Sequence, residues 1–193
     1  MVHAPSDDPL ARALAALSGW LAATQVPYAL IGGIAVSLQA DPRYTQDIDA
    51  VVWTDDSSWP ELVASAVRFG IRARVDDVLA FAARSRVLLL VHESGVPLDV
   101  SCGALPFEQV LVESAVVLDA GGFLVRVARP ADLLVMKAVA GRPRDHADIE
   151  SLLRADPELD VGAARRVIVE FADALEQPEL VETFDRLTTR QRR

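Results

Sequence analysis

Tyr28-Ala29-Leu30-Ile31-Gly32-Gly33, followed after a spacer by Asp47-Ile48-Asp49-Ala50-Val51-Val52, is the stretch on which the fold of this chain turns. The first run is apolar and ends abruptly in two glycines. It reads as a short buried strand that breaks into a sharp turn and opens a helix, expected over Ile34 to about Ala40. Asp47 to Trp53 alternates acidic and apolar residues before becoming wholly apolar, the pattern of a second strand. Residues i and i+2 of a strand share a face. Asp47 and Asp49 therefore project together, and Ile48 turns toward the core.

Outward from this stretch the punctuation is regular. Leu10, Leu14, Leu17 and Leu21 recur at helical spacing, and Pro27 closes that helix. Ser57 to Phe69 reads as a helix capped by Ser57 or Ser58, and Asp76 to Arg84 as a short one. Val87 to His92 and Val96 to Ser101 form a hairpin around Glu93-Ser94-Gly95. Pro106 to Glu113 is helical, and Val116 to Leu118 with Phe123 to Val127 makes a second hairpin around Gly121-Gly122. From Pro130 the pattern stays helical, with Pro130 in a first turn, Gly141 as a C-terminal cap and Pro143 just beyond. The expected fold is α/β (α+β), a mixed sheet flanked by helices. Its core spans residues 1–129, with a C-terminal helical section over 130–193, separate or continuous with it.

Composition narrows the classes. At 193 residues the chain fits one domain with a modest extension, and 51% apolar residues supply a large core. Mean hydropathy is positive, +0.24, yet runs such as Val87 to Val91 fall far short of the roughly 20 residues a membrane span needs. Asp7 and Asp8 near the start do not suit a secretory signal. A soluble cytoplasmic protein with no membrane role is expected. Cys102 is the single cysteine, and His3, His92 and His146 lack metal-ligand spacing, so a zinc site is not expected. Cys102 and Trp53 read as core residues and Trp59 as partly exposed. A net charge of −9 argues against a broad phosphate-binding surface. Arg190, Arg192 and Arg193 read as a disordered basic tail.

The chemistry lies in the carboxylates. A third acid, Asp99, stands between Leu98 and Val100 in a strand-like run. If its strand neighbours that of Asp47 and Asp49, three carboxylates converge. Such a cluster is costly without a cation. Mg²⁺ takes one or two carboxylates plus substrate phosphates, and two ions about 3.5–4 Å apart clamp the oxygens of an in-line phosphoryl displacement. Gly32 and Gly33, at a strand-to-helix turn, let backbone approach phosphates. Lys137 is the only lysine, set in a helix apolar almost all round. Asp148, Ile149 and Leu152 share a helix face, so Asp148 is expected to reach Lys137. Asp145 with Asp148 also suits a helix start.

Leu30-Ile31-Gly32-Gly33, Asp47-Ile48-Asp49 and Leu98-Asp99-Val100 together resemble the signature of the polymerase-beta-like nucleotidyltransferase superfamily. Arg43-Tyr44-Thr45-Gln46 before the first acid, and Lys137, Arg142, Asp145 and Asp148 in that order, are most similar to AbiEii and MenT-type nucleotidyltransferase toxins. The likeness covers about Tyr28 to Leu153. It implies that Asp47, Asp49 and Asp99 ligate Mg²⁺, two ions with bound NTP, and that Asp99 helps deprotonate the acceptor. Gly32, Gly33, Ser37, Arg43, Lys137 and Asp148 would bind the nucleotide. The usual Ser after the first Gly is Gly33 here, which loosens the substrate assignment. Three acceptor readings follow: RNA or tRNA, with a cognate antitoxin and a basic groove near Arg43, Arg142 and Arg144; an aminoglycoside-like small molecule; or a non-catalytic relic that binds nucleotide or protein. DNA is not expected.

Overall fold

The computed structural model describes residues 8–191. His3, Asp7, Arg192, Arg193 and the side chain of Arg190 lie outside that description, and the expectations attached to them with it. The chain forms two compact units: one ends at Ile34 and resumes over Tyr44–Ala128, the other comprises Ala35–Arg43 and the chain from Arg129 onward.

In the first unit the elements are α1 (Pro9–Thr24), β1 (Tyr28–Ile31), the start of α2 (Gly32–Ser37), β2 (Ile48–Val52), α3 (Trp59–Ala66), β3 (Ile71–Ala73), α4 (Val78–Ser85), β4 (Val87–His92), β5 (Pro97–Cys102), α5 (Pro106–Glu113), β6 (Val116–Asp119) and β7 (Leu124–Val127). The strands make one seven-stranded sheet in the order β3-β4-β5-β2-β1-β7-β6. Pairing is antiparallel except for β2 with β5 and β1 with β7. It is a mixed α/β sheet, as the pattern of strands and helices implies.

The central strands are the apolar ones. Leu30, Ile48, Leu88, Leu90, Leu98 and Val100 are fully buried, which is why the hydrophobic runs, not the turns, fix the sheet. Pro97 opens β5, where its missing N–H costs no ladder bond. On α1 the heptad-like leucines Leu14, Leu17 and Leu21 are buried, and Trp20 donates its indole N–H to Ser65 Oγ at 2.8 Å.

Four local expectations need correction. The helix after Gly32-Gly33 is α2, beginning at Gly32 and ending at Ser37 instead of about Ala40. Pro42 follows closely and disfavours helix before it, and Gln39 Nε2 spends itself on Ala35 O at 3.1 Å. Neither Ser57 nor Ser58 caps α3 through its side chain; a 3₁₀ turn over Asp56–Ser58 leads into it. Trp59 is buried, with the Arg86 guanidinium 5.2 Å from its ring centre. Trp53 is only half-buried, its ring lying against Gly103. Cys102 is in the core, and burial pushes its thiol pKa up to about 12, so it is inert as a nucleophile.

In the second unit, α6 (Pro130–Ala140), α7 (Pro143–Ala155), α8 (Val161–Leu175) and α9 (Glu179–Gln191) pack on one another. Leu133, Leu134, Ile149, Leu152, Ile168 and Phe184 are their buried centre. Gly141 ends α6 in the left-handed conformation at φ 63°, the cap its position called for. Among the described residues no helix is long and apolar enough to cross a membrane.

Candidate active site

Strand register decides which carboxylates meet. Because β2 runs parallel to β5 with Ile48 beside Leu98, Asp49 lies directly beside Asp99. The same cross-strand row continues on both sides. Asp49 faces Ile31 of β1, Asp99 faces Leu89 of β4, and Arg74, just past β3, donates its backbone N–H to Leu89 O at 2.9 Å. Residues opposite one another share a face, so Arg74 stands on the face of both acids. Its guanidinium reaches over Leu89 and bonds Asp99 Oδ1 at 2.7 Å, each side chain about one-third exposed.

Asp47 precedes β2 and is half-buried, in the alternation expected of it. The Thr45 hydroxyl donates to its Oδ1 at 3.0 Å and lies 3.3 Å from its backbone oxygen. The structure thus sets Asp49 and Asp99 side by side. Among the described residues no three His, Cys, Asp or Glu side chains gather into a metal-holding group. Two adjoining carboxylates nevertheless fit a small hard cation whose shell is completed by phosphate oxygens.

Gly32 closes this site from beneath. Its φ is +65°, and a Cβ built there would lie 1.9 Å from Asp49 Oδ2. Glycine is required twice over, by conformation and by the carboxylate resting against its backbone. Gly32→Ala is expected to destabilise the fold by about 1–2 kcal/mol through the left-handed backbone alone, or roughly 2–8 °C in Tm. Displacing Asp49 should add a loss of transfer on the order of 10²-fold. Thermal melting and turnover of the one variant check both. Gly33, the next residue, is buried.

The remaining expected residues lie in the second unit, and most form one ion network. Asp148 takes Arg43 through two contacts, 2.7 Å from Nε and 3.1 Å from Nη2, and takes Lys137 Nζ at 2.8 Å. The expected pairing of Lys137 with Asp148 is present. Lys137 also donates to Asp145 Oδ1 at 3.1 Å, and Arg142 Nε to Asp145 Oδ2 at 2.6 Å. Lys137, Asp145 and Asp148 are all buried. Three cations against two acids satisfy the rule that buried charge must be matched. Ser37 Oγ lies 3.4 Å from Arg43 O and accepts its N–H at 3.3 Å, so the hydroxyl ties down the loop that carries Arg43. Arg43 and Arg142 are thus engaged by carboxylates.

Asp145 does more than the sequence suggested. It is the third residue of α7, with Arg142 as N-cap, and it accepts the Arg142 backbone N–H at 3.2 Å. Burial pushes its pKa up, but the bonds from Arg142 and Lys137 outweigh that and hold it below the ordinary carboxylate value. A carboxylate depressed on folding contributes stability above its unfolded pKa, and that contribution is lost as pH falls through the folded value. The Tm gap between wild type and Asp145→Asn should therefore be full near pH 6 and shrink progressively below about pH 4.

One residue of these constellations escaped sequence reading, Arg74. The only local sign of Arg74 is the alternation Ile71-Arg72-Ala73-Arg74, an edge-strand pattern too short to stand out. Asp145 was picked out by its place in the Lys137, Arg142, Asp145, Asp148 series, with a helix start as its plainer role.

The family described as nucleotidyl transferase AbiEii toxin, type IV toxin-antitoxin system, matches residues 13–193. No curated protein sequence matches the chain. Among solved structures, an antigenic nucleotidyltransferase-like protein from Paracoccidioides brasiliensis aligns at 17% identity and a TM-score of 0.55, covering 94% of each chain. ANT(2")-Ia in complex with adenylyl-2"-tobramycin aligns at 18% identity and 0.54, covering 81% of this chain and 93% of its own. JHP933 from Helicobacter pylori aligns at 14% identity and 0.52, covering 98% and 95%. These likenesses are of fold.

Proposed function

Because this chain belongs to the AbiEii nucleotidyl transferase toxin family of type IV toxin-antitoxin systems, we propose that it transfers a nucleoside monophosphate from an NTP to RNA, tRNA first, as a cytoplasmic toxin beside a cognate antitoxin. The observation that carries the reading is the register of Asp49 beside Asp99 over the Gly32 backbone. A phosphoryl-transfer site needs paired oxygen donors and close backbone, and these residues supply both.

Asp49 and Asp99, with Asp47 from the adjoining turn, are the residues we assign to Mg²⁺, one ion or two with bound NTP. When bound, the metal neutralises charge on the triphosphate and on the departing pyrophosphate. The chain's own residues do the rest. Arg74 holds Oδ1 of Asp99, so Oδ2 is the oxygen we assign to the acceptor proton. As that proton moves to Asp99, the acceptor oxygen forms its bond to the α-phosphorus. The bond from that phosphorus to the α–β bridging oxygen breaks, and pyrophosphate carries off the electron pair. Gly32 and Gly33 let the triphosphate approach the backbone. The assignment of Ser37, Arg43, Lys137 and Asp148 to nucleotide binding rests on the family resemblance.

The test is incubation of purified protein with Mg²⁺, each α-labelled NTP in turn and total tRNA. Label on RNA with wild type and none with Asp47→Ala is expected. A second reading, transfer to a cationic small molecule, draws on the acidic net charge of −9 and on the fold shared with ANT(2")-Ia. Label on tobramycin but not on RNA in the same assay would replace the first reading with the second.

A further inference from the structure

Tyr44 is 81% exposed, the most exposed large apolar side chain among the described residues. It stands three residues before Asp47. Three residues span at most about 11 Å of backbone, so the ring is held close to the carboxylates by chain length alone. The segment is also braced. Gln46 Nε2 donates to the Tyr44 hydroxyl at 2.8 Å, and the intervening Thr45 hydroxyl is spent on Asp47. Most of the Tyr44 side-chain surface is open to solvent, and an aromatic side chain, with two rotatable bonds, loses little rotamer freedom when a second ring settles on it.

On the reading of the site as a nucleotidyltransferase centre, which this inference rests on, we propose that Tyr44 is a stacking platform for a nucleobase. The base belongs either to the NTP or to the acceptor's terminal nucleotide, and the shared chemistry is a purine or pyrimidine π-face beside a phosphate near the Gly32-Gly33 turn. Stacking on an aromatic ring is tolerant of base identity, because every base has such a face. Tyr44 therefore adds affinity for nucleotides without selecting among them, and base choice lies with other groups.

The experiment compares each base-bearing ligand with its baseless counterpart, by equilibrium binding in Mg²⁺. One pair is ATP against inorganic triphosphate. The other is a short fluorescent oligoribonucleotide against the same oligomer with an abasic 3′ residue. Tyr44→Ala is expected to weaken one base-bearing ligand by roughly 5- to 150-fold and to leave its counterpart unchanged. Tyr44→Phe and Tyr44→Trp, which keep a ring, should bind as wild type does. Selective loss of ATP assigns the stacked base to the NTP, and selective loss of the intact oligomer assigns it to the acceptor. Equal weakening within each pair, no weakening in either, or a Phe variant as damaged as the Ala variant overturns the proposal. Failure of wild type to label RNA would count against the acceptor reading alone, since neither binding comparison requires turnover.

Discussion

Asp49→Asn is expected to lower nucleotidyl transfer on the order of 10³-fold, about 4 kcal/mol of transition-state stabilisation, while Tm stays within about 2 °C of wild type. The two halves of this result have separate causes. Asn keeps the volume of Asp, so the side chain still fits against Gly32, where there is no room to spare. What disappears is one charge of two that lie side by side on neighbouring strands. Like charges at paired positions repel and cost stability. Removing one relieves that repulsion, whereas a cation bound there loses an anionic ligand. Steady-state turnover and differential scanning fluorimetry on the same preparation separate the effects. A variant that melts far lower would make Asp49 a structural residue, and one that turns over normally would remove it from the active site.

Lys137→Met should show the opposite pattern, a loss of stability of about 3 kcal/mol, or roughly 6–12 °C in Tm. Methionine fills the space of the lysine stem but leaves Asp145 and Asp148 buried with one cationic partner each, Arg142 and Arg43. Those guanidinium groups keep the cost at the lower end of the range for a broken buried pair. An exposed ion pair would cost under about 1 kcal/mol, so the size of the shift distinguishes the cases. Adding Asp145→Asn and Asp148→Asn to Lys137→Met should lower Tm further, because Arg142 and Arg43 then lose the carboxylates they hold. Urea or thermal melts decide this. A shift below about 2 °C for the single variant would mean that Lys137 is not the keystone of the network.

The strands with long apolar runs could be read directly, since Val87 to His92 and Tyr28 to Ile31 have little else to be. Strand β3 could not. It has three residues, one of them Arg72, and sits at the sheet edge, where burial imposes no pattern. Its invisibility hid Arg74 too, because that residue matters only through its place in a row of four strands. The meeting of Asp49 with Asp99 was legible only as a condition on strand order, which local periodicity does not contain. Lys137 was conspicuous as a cation in an apolar helix, and its partner Asp148 could be placed by helical phase. Asp145 was marked by its place in the Lys137, Arg142, Asp145, Asp148 series and by the helix start, but its bonds to Lys137 and Arg142 depend on how α6 meets α7.

The parallel pairing of β2 with β5 has a consequence for how the protein is made. Asp49 and Asp99 come together across fifty residues, 49 to 99, and the intervening chain supplies β3 and β4. During synthesis at about 5–20 residues per second, a ribosome has already released β1, Gly32 and Asp49 well before their partner strand emerges. A nascent chain or degradation fragment that stops short of β5 carries the glycine turn and the first acids, yet has no paired carboxylates. Competence for transfer thus arrives late and all at once, as a by-product of closing the sheet.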